Sequence, residues 1–253
     1  SISRANLNRE LIVAAAAEPL IDLHFNQRYI GADPATGSLQ LRDDATGATR
    51  QLRADIIIAA DGAGSAVRDA MVERQLCHAT EDRLPHDYKE LLVPAATDGG
   101  YRMTANALHI WPRGGYMLIA LPNADGSFTA TLFLPPEGRP GFAQLADATA
   151  VNAFFTKQFP DFMPLVPDLA AQFAAHPQGQ LATLHCWPWH ASRTLLIGDA
   201  AHAIVPFHGQ GLNCGFEDCL LLDRLLAGQS DVAAAFGEFE HQRRTNTDAI
   251  AIM

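Results

Sequence analysis

Hydrophobic positions along this chain change period several times, and each change marks a change of element. Near the start, Leu7, Leu11 and the alanines after them recur at helical spacing behind Ser3, a favoured N-cap. They predict a helix to about Glu18. Residues 21–30 alternate weakly and read as a strand. Residues 31–53 read as a polar hairpin around Asp33-Pro34 and Thr46-Gly47. Ile56-Ile57-Ile58 is a continuous apolar run ahead of Asp61-Gly62, and it predicts a parallel strand buried on both faces. Ser65 then caps a short helix.

From residue 85 to 135 the period shortens. Strands are predicted near 91–94, 107–111, 116–121 and 128–134. Turns at Pro112-Arg113-Gly114-Gly115 and Asn123-Ala124-Asp125-Gly126 separate them, which is the pattern of a hairpin-connected antiparallel sheet. Alanine-rich helical sequence follows over about 145–175, then a strand at about 180–186. Residues 215–253 are helical with one break at Gly228. An antiparallel sheet domain over residues 76–186 is thus inserted between two α/β pieces, 1–75 and 187–253.

Composition narrows the function classes. The 253 residues are 48% hydrophobic and 18% charged, ample for a sizeable core. The formal charge is −10 and no Lys/Arg cluster stands out, which argues against a nucleic-acid surface. No apolar run is long enough to cross a membrane, and no signal-peptide pattern opens the chain. Cys77, Cys186, Cys214 and Cys219 lack metal spacing, and their scarcity suits a reducing cytoplasm. Cys214 and Cys219 read as small buried residues. His202 and His208 have no partners at ligand spacing, so no metal is expected. Trp187-Pro188-Trp189 reads as a packed strand end. Glu217 and Asp218 read as helix-start carboxylates that complement the dipole, with no catalytic role.

The most informative stretch is residues 194–219. Thr194-Leu195-Leu196-Ile197 is a short apolar run, followed by Gly198-Asp199-Ala200-Ala201-His202, then by Pro206-Phe207-His208-Gly209-Gln210-Gly211 and an apolar helical run. A buried strand that ends in a carboxylate, a Pro/Gly loop and a helix make a site for a ribose-bearing cofactor at the carboxyl end of a sheet. Asp199 is placed to accept hydrogen bonds from ribose hydroxyls. The backbone N–H groups of Gly209 to Asn213 are placed to face an electron-rich group at a helix N-terminus. Taken alone, Asp199 is also a good helix cap, and Asp61-Gly62 is also a plain strand-exit turn.

Three segments together carry a resemblance: residues 198–219, the strand-then-Asp61-Gly62 segment at 54–68, and Arg4-Ala5-Asn6-Leu7 near the start. They resemble the single-component FAD-dependent aromatic hydroxylases. The inserted sheet resembles the kynurenine-hydroxylating branch, in Leu84 to Leu91, in Asn106-Ala107-Leu108-His109-Ile110-Trp111-Pro112-Arg113, in Tyr116 to Asn123 and in Gly126 to Phe133. The resemblance implies an α/β (α+β) fold: a split, Rossmann-like FAD-binding domain with an inserted antiparallel-sheet substrate domain, then C-terminal helices. It implies FAD, NADPH and dioxygen as reactants, and hydroxylation of L-kynurenine to 3-hydroxykynurenine by way of a flavin C4a-hydroperoxide. Cofactor positions implied are Arg4, Asn8, Tyr29, Asp61, Gly62, Asp199, Pro206, Gly209, Gly211, Leu212 and Asn213. Substrate positions implied are Leu108, Met117, Ile119, Leu121 and Phe133 on the sheet, with Pro206, Phe207 and His208 beside the flavin. Strand alternation supports an apolar wall there, since Met117, Ile119 and Leu121 share one side; core packing is the competing reading for each.

No Gly-x-Gly-x-x-Gly opens the chain, although the family's phosphate-binding unit carries one. The expectation is a fragment of a longer enzyme, inactive alone, whose further substrate-gripping residues lie outside these 253. Two other readings stay open: a hydroxylase of phenolic or salicylate-like acids, and a non-catalytic remnant that serves as a binding module.

Overall fold

The structure is a computed structural model that describes residues 4–33 and 37–252. In chain order the helices and strands are α1 (Arg4–Ala17), β1 (Gln27–Asp33), β2 (Ser38–Asp43), β3 (Thr49–Arg53), β4 (Ile57–Ala59), α2 (Ala66–Glu73), β5 (His78–Val93), β6 (His109–Pro112), β7 (Met117–Pro122), β8 (Phe128–Leu134), α3 (Ala148–Gln158), α4 (Leu169–Ala175), β9 (Gln178–Trp187), β10 (His190–Ala191), β11 (Thr194–Leu196), α5 (Asp199–His202), α6 (Gly211–Gly228) and α7 (Val232–Ala251). The mixed α/β class with antiparallel sheets and C-terminal helices matches the expectation.

Contacts divide the chain into two units. One is Ser1–Leu23 with Leu84–Leu181; the other is His24–Arg83 with Ala182–Met253. The division falls inside β5 and β9, strands of 16 and 10 residues.

In the first unit, β6, β7, β8 and β5 are consecutive neighbours in one sheet. Side chains alternate between its faces. Leu118, Ala120, Ala130, Leu132, Leu134, Leu91 and Val93 point to one face and join Val151, Phe155, Phe159, Phe162, Leu169 and Phe173 in a core. Phe155 is wholly buried at its centre, with ring centroids 5.6 Å from Phe159, 6.0 Å from Phe162 and 6.3 Å from Phe173. Lys89 reaches the same side, where its Nζ donates to Phe173 O (2.7 Å) and His176 O (2.8 Å) and so caps the end of α4. The β7–β8 turn needs its glycine: Gly126 has φ 85°, and a Cβ there would stand 2.6 Å from Gly99 O.

The second unit holds a three-stranded meander, β1-β2-β3, and a small sheet ordered β10-β11-β4 in which β11 and β4 are parallel. Its core gathers Val67, Met71, Leu184, Trp189, Leu195, Leu196, Ala200, Ala201, Leu222, Phe236 and Phe239. Local caps place the helices. Ser65 Oγ accepts from Arg68 N–H at α2, and Asp231 accepts from Ala233 and Ala234 N–H at α7.

Several expectations are corrected. Residues 21–25 form no strand, and β1 starts only after Asn26, whose φ is 57°. The weak alternation there has no buried face to satisfy. β4 is not buried on both faces: Ile57 and Ala59 are buried, but Ile58 between them is 40% exposed, so one face of the strand is left uncovered by the described residues. Cys219 is exposed, whereas Cys214 is buried. Of the two tryptophans near β10, Trp189 is packed (1% exposed) but Trp187 is 48% exposed, with the Arg244 guanidinium 5.3 Å above its ring. Ser3 and Pro34 lie outside the described residues.

Truncation of the central ring tests this packing. Phe155→Ala is expected to lower unfolding stability by about 3–5 kcal/mol, measured by denaturant titration.

Candidate cofactor site and substrate face

Two carboxylates stand at the ends of two parallel strands. Ile57, Ile58 and Ala59 lie opposite Thr194, Leu195 and Leu196, and Ile197 N–H donates to Ala59 O at 3.0 Å. The two strands therefore finish level. Asp61-Gly62 follows one and Gly198-Asp199 follows the other, at the carboxyl edge where open α/β sheets take their ligands.

The Gly198-Asp199 turn is built around a buried carboxylate. Gly198 has φ 56° and ψ −142°, a conformation that needs glycine. Its N–H donates to Asp218 Oδ2 at 2.8 Å. His202 Nε2 donates to the same oxygen at 2.7 Å, and Arg243 Nε donates to Asp218 Oδ1 at 2.6 Å. Arg243 Nη1 also meets Glu217 Oε2 at 2.5 Å. Asp218 is fully buried and Arg243 is 1% exposed. Burial alone would push the Asp218 carboxyl up, but the bonds from His202, Arg243 and Gly198 outweigh it and hold it below its usual value. Asp199 itself is left exposed, its Oδ1 3.8 Å from where a Cβ on Gly211 would stand.

Asp61 has a structural task of its own. Its carboxylate accepts from Ser65 Oγ (2.5 Å) and Val67 N–H (3.3 Å), closing the turn into α2. Arg68 joins the two segments. Its Nη2 donates to Ala63 O at 2.6 Å and its Nη1 to Ala200 O at 3.1 Å, with the side chain buried. One guanidinium thus ties the Asp61-Gly62 loop to the helix that follows Asp199.

Residues 206–213 complete this edge. Pro206, Phe207 and His208 form a single 3-10 turn, and Gly209 closes it in the left-handed region (φ 61°) with its N–H on Pro206 O. α6 begins at Gly211 with no side-chain cap among the described residues. The first-turn N–H groups of Gly211, Leu212 and Asn213 have no intrahelical partner. Leu212 and Asn213 are exposed, and Asn213 Nδ2 donates to Gln210 Oε1 at 3.1 Å. Space above Gly62 and Gly209 is open: among the described residues nothing stands within 4 Å of where a Cβ would lie. Tyr29 lies in β1 of this same unit. Its hydroxyl is buried without a hydrogen-bond partner among the described residues, and burial pushes its pKa up. Asn8 is exposed on α1, in the other unit. The side chains of Arg4 and His208 lie outside the described residues.

The sheet positions are drawn together on one face. Met117 pairs with Phe133, Ile119 with Thr131 and Leu121 with Thr129, so these side chains all point the same way. That face is opposite to the one carrying the Phe155 core. Leu108 is exposed just ahead of β6. Among the described residues no group of His, Cys, Asp and Glu is placed to hold a metal.

A family model described as an FAD binding domain matches residues 2–235. The chain belongs to that family. Relatives named kynurenine 3-monooxygenase agree with it: the one from Myxococcus xanthus (strain DK1622) is 48% identical over 254 residues, and the one from Stenotrophomonas maltophilia (strain K279a) is 47% identical over 254. Both matches take in 100% of this chain but only 55% and 56% of the relatives, so the chain spans about half the length of the curated relatives it matches. Among solved structures, the tetrameric form of 2-methyl-3-hydroxypyridine-5-carboxylic acid oxygenase is 25% identical at TM-score 0.78, covering 98% of this chain and 63% of that one. Klebsiella pneumoniae HpxO, complexed with FAD and uric acid, shares the fold at TM-score 0.75 and 21% identity, covering 99% of this chain and 61% of that one.

The second unit fits the family's cofactor in three respects among the described residues: an open glycine backbone, a helix N-terminus free of side-chain caps, and an orphaned buried hydroxyl on Tyr29. The residues that sequence reasoning missed are those that hold this edge in place. The sequence suggests a helix-start charge at Asp218, but α6 begins at Gly211, so Asp218 lies two turns in and faces the core. Its partner Arg243 lies on a different helix, and nothing in the sequence links the two. Glu240 is similar: it accepts from Trp189 N–H (2.7 Å) and His190 Nδ1 (2.9 Å) across a span with no local signal.

Two outcomes follow. Arg68→Gln is expected to weaken FAD binding about tenfold or more, by loss of charge-assisted bonds of about 1.5–3 kcal/mol; flavin fluorescence titration reads it. Asp218 and Glu240 are both held below their ordinary carboxyl values, Glu240 because the His190 and Trp189 bonds outweigh its burial. Their stabilisation is complete above the ordinary carboxylate range and is lost as pH falls through the lowered folded values. Unfolding stability should therefore decline below about pH 4, and Asp218→Asn should flatten that decline.

Proposed function

We propose that the protein containing this chain hydroxylates L-kynurenine to 3-hydroxykynurenine, with FAD as cofactor and NADPH and dioxygen as co-substrates. The observation that carries this is the likeness of the whole chain to kynurenine 3-monooxygenases at 45–48% identity. The residues add physical support. The face of Met117, Ile119 and Leu121, with the buried Phe133 on the same side and Leu108 exposed ahead of β6, is an apolar surface suited to an aromatic ring. Pro206, Phe207 and His208 are assigned to the flavin side of that ring by resemblance.

FAD supplies the redox and oxygen chemistry when bound. The chain's own part is to hold, orient and shield. Asp199 accepts from hydroxyl groups of the cofactor, and the first-turn N–H groups of α6 face its electron-rich end. The apolar sheet face keeps water from the reacting ring, which limits wasteful loss of reduced oxygen. Arg4 and Asn8 are assigned to the flavin path and Tyr29 to the adenosine end. No described helix is long and apolar enough to cross a membrane. A cytoplasmic location is proposed from four cysteines that are all free.

The full-length protein should oxidise NADPH in a kynurenine-dependent manner and yield a product one oxygen atom heavier, seen by mass spectrometry. Absence of both would overturn the reading. Turnover of a phenolic acid in place of kynurenine would favour the phenolic hydroxylase instead.

A further inference from the structure

Two buried cysteines meet where the chain leaves the second unit and where it returns. It leaves along β5 and returns along β9, and these strands are neighbours in one sheet. Cys77 stands one residue ahead of β5, and Cys186 is the last residue but one of β9. Both belong to the core of the second unit, 1% and 8% exposed. Their thiols interact directly. Cys77 Sγ also lies 3.9 Å from Arg68 O, and Cys186 O accepts from Trp189 Nε1 at 2.8 Å, so both residues are held in place.

The two sulfurs are not equivalent. The Cys186 thiol, helped by the Arg68 charge, holds Cys77 below the ordinary thiol value in spite of burial. The same contact, together with burial, pushes Cys186 up. A thiolate favoured beside a cation is the nucleophile of such a pair, and a neighbour that keeps its proton is the resolving thiol. Burial shuts out bulky reagents and leaves hydrogen peroxide, small and uncharged, as the oxidant that fits. We propose that Cys77 and Cys186 form a peroxide-reactive dithiol, which closes to a reversible disulfide where β5 begins and β9 ends. The Cys77 thiolate attacks one peroxide oxygen; the O–O bond breaks, hydroxide leaves, and Cys77 becomes a sulfenic acid. Cys186 sulfur then attacks the Cys77 sulfur; the S–O bond breaks, and the hydroxyl leaves as water with the Cys186 proton. The sulfurs together lose two electrons, and the peroxide gains them. The bridge closes a loop that contains all of β6, β7 and β8. It needs neither flavin nor substrate, so it stands apart from the hydroxylase reading.

The test uses the full-length protein, fully reduced and then exposed to hydrogen peroxide, with its peptides read by mass spectrometry in the absence of reductant. The expected result is a Cys77 peptide joined to the Cys186 peptide, lighter by two hydrogen atoms than the separate thiols and released by dithiothreitol. The bridged protein should also unfold at a higher temperature than the reduced protein, because the closed loop restrains the unfolded chain. In Cys186→Ala the expected product is a sulfenic acid on Cys77, trapped by dimedone; in Cys77→Ala, Cys186 stays a thiol. Three results overturn the proposal: Cys77 and Cys186 still thiols once peroxide has oxidised the exposed Cys219, either of them bridged to another cysteine instead, or a sulfenic acid on Cys186 in Cys77→Ala. Should a variant fail to fold, the wild-type peptide map decides alone.

Discussion

The carboxyl edge of β4 and β11 depends on one buried carboxylate. Asp218 receives the Gly198 N–H, the His202 ring and the Arg243 guanidinium, all within 2.6–2.8 Å. Gly198 is held in a conformation that only glycine takes readily, and Asp199 leaves the strand from that point. An unpaired charge buried this deeply would be strongly destabilising, so the pair stands or falls together. The arrangement spends buried polar groups on geometry: it sets where one exposed carboxylate stands relative to the start of α6.

Arg68 does for the other strand end what Asp218 does for the first. Its guanidinium bonds to carbonyls on both sides, Ala63 and Ala200, and its own N–H completes the Ser65 cap. Cys77 Sγ lies 3.9 Å from Arg68 O, so the start of β5 is held against the same turn. Parallel pairing of β4 with β11 brings the two carboxylates level, and these two buried hubs keep the loops beyond them from drifting. In the first unit the division of labour is between sheet faces: one closes over aromatic rings, and the other carries Met117, Ile119 and Leu121, which are half-buried or exposed.

Elements held by local chemistry were legible in the sequence. Ser65 and its helix, the β7 and β8 strands, the Asn123–Gly126 turn and the helix break at Gly228 all follow from neighbours within a few residues. The apolar wall was legible as a set of alternating positions. That Thr129, Thr131 and Phe133 share its face, however, needed the register of β7 against β8. The buried hubs were not legible. Asp218 and Arg243 are 25 residues apart on different helices, and an Asp-Cys pair within a helix looks like any solvated turn. Residues 21–25 depart from the pattern because all five are exposed and the weak alternation has no buried side among the described residues. Ile58 differs in another way: an apolar run implies two covered faces, and among the described residues only the face of Ile57 and Ala59 is covered.

The most direct test of this account is a double-mutant cycle on Asp218 and Arg243, read as FAD affinity of the full-length protein. Asp218→Asn, Arg243→Gln and the double variant would each be titrated with FAD, with thermal unfolding followed in parallel. The account predicts that each single change weakens FAD binding about tenfold or more, and that the double change costs far less than the sum, a coupling of about 1 kcal/mol or more. Additive effects, or FAD affinity unchanged in variants that remain folded, would contradict the claim that this buried pair positions the cofactor edge.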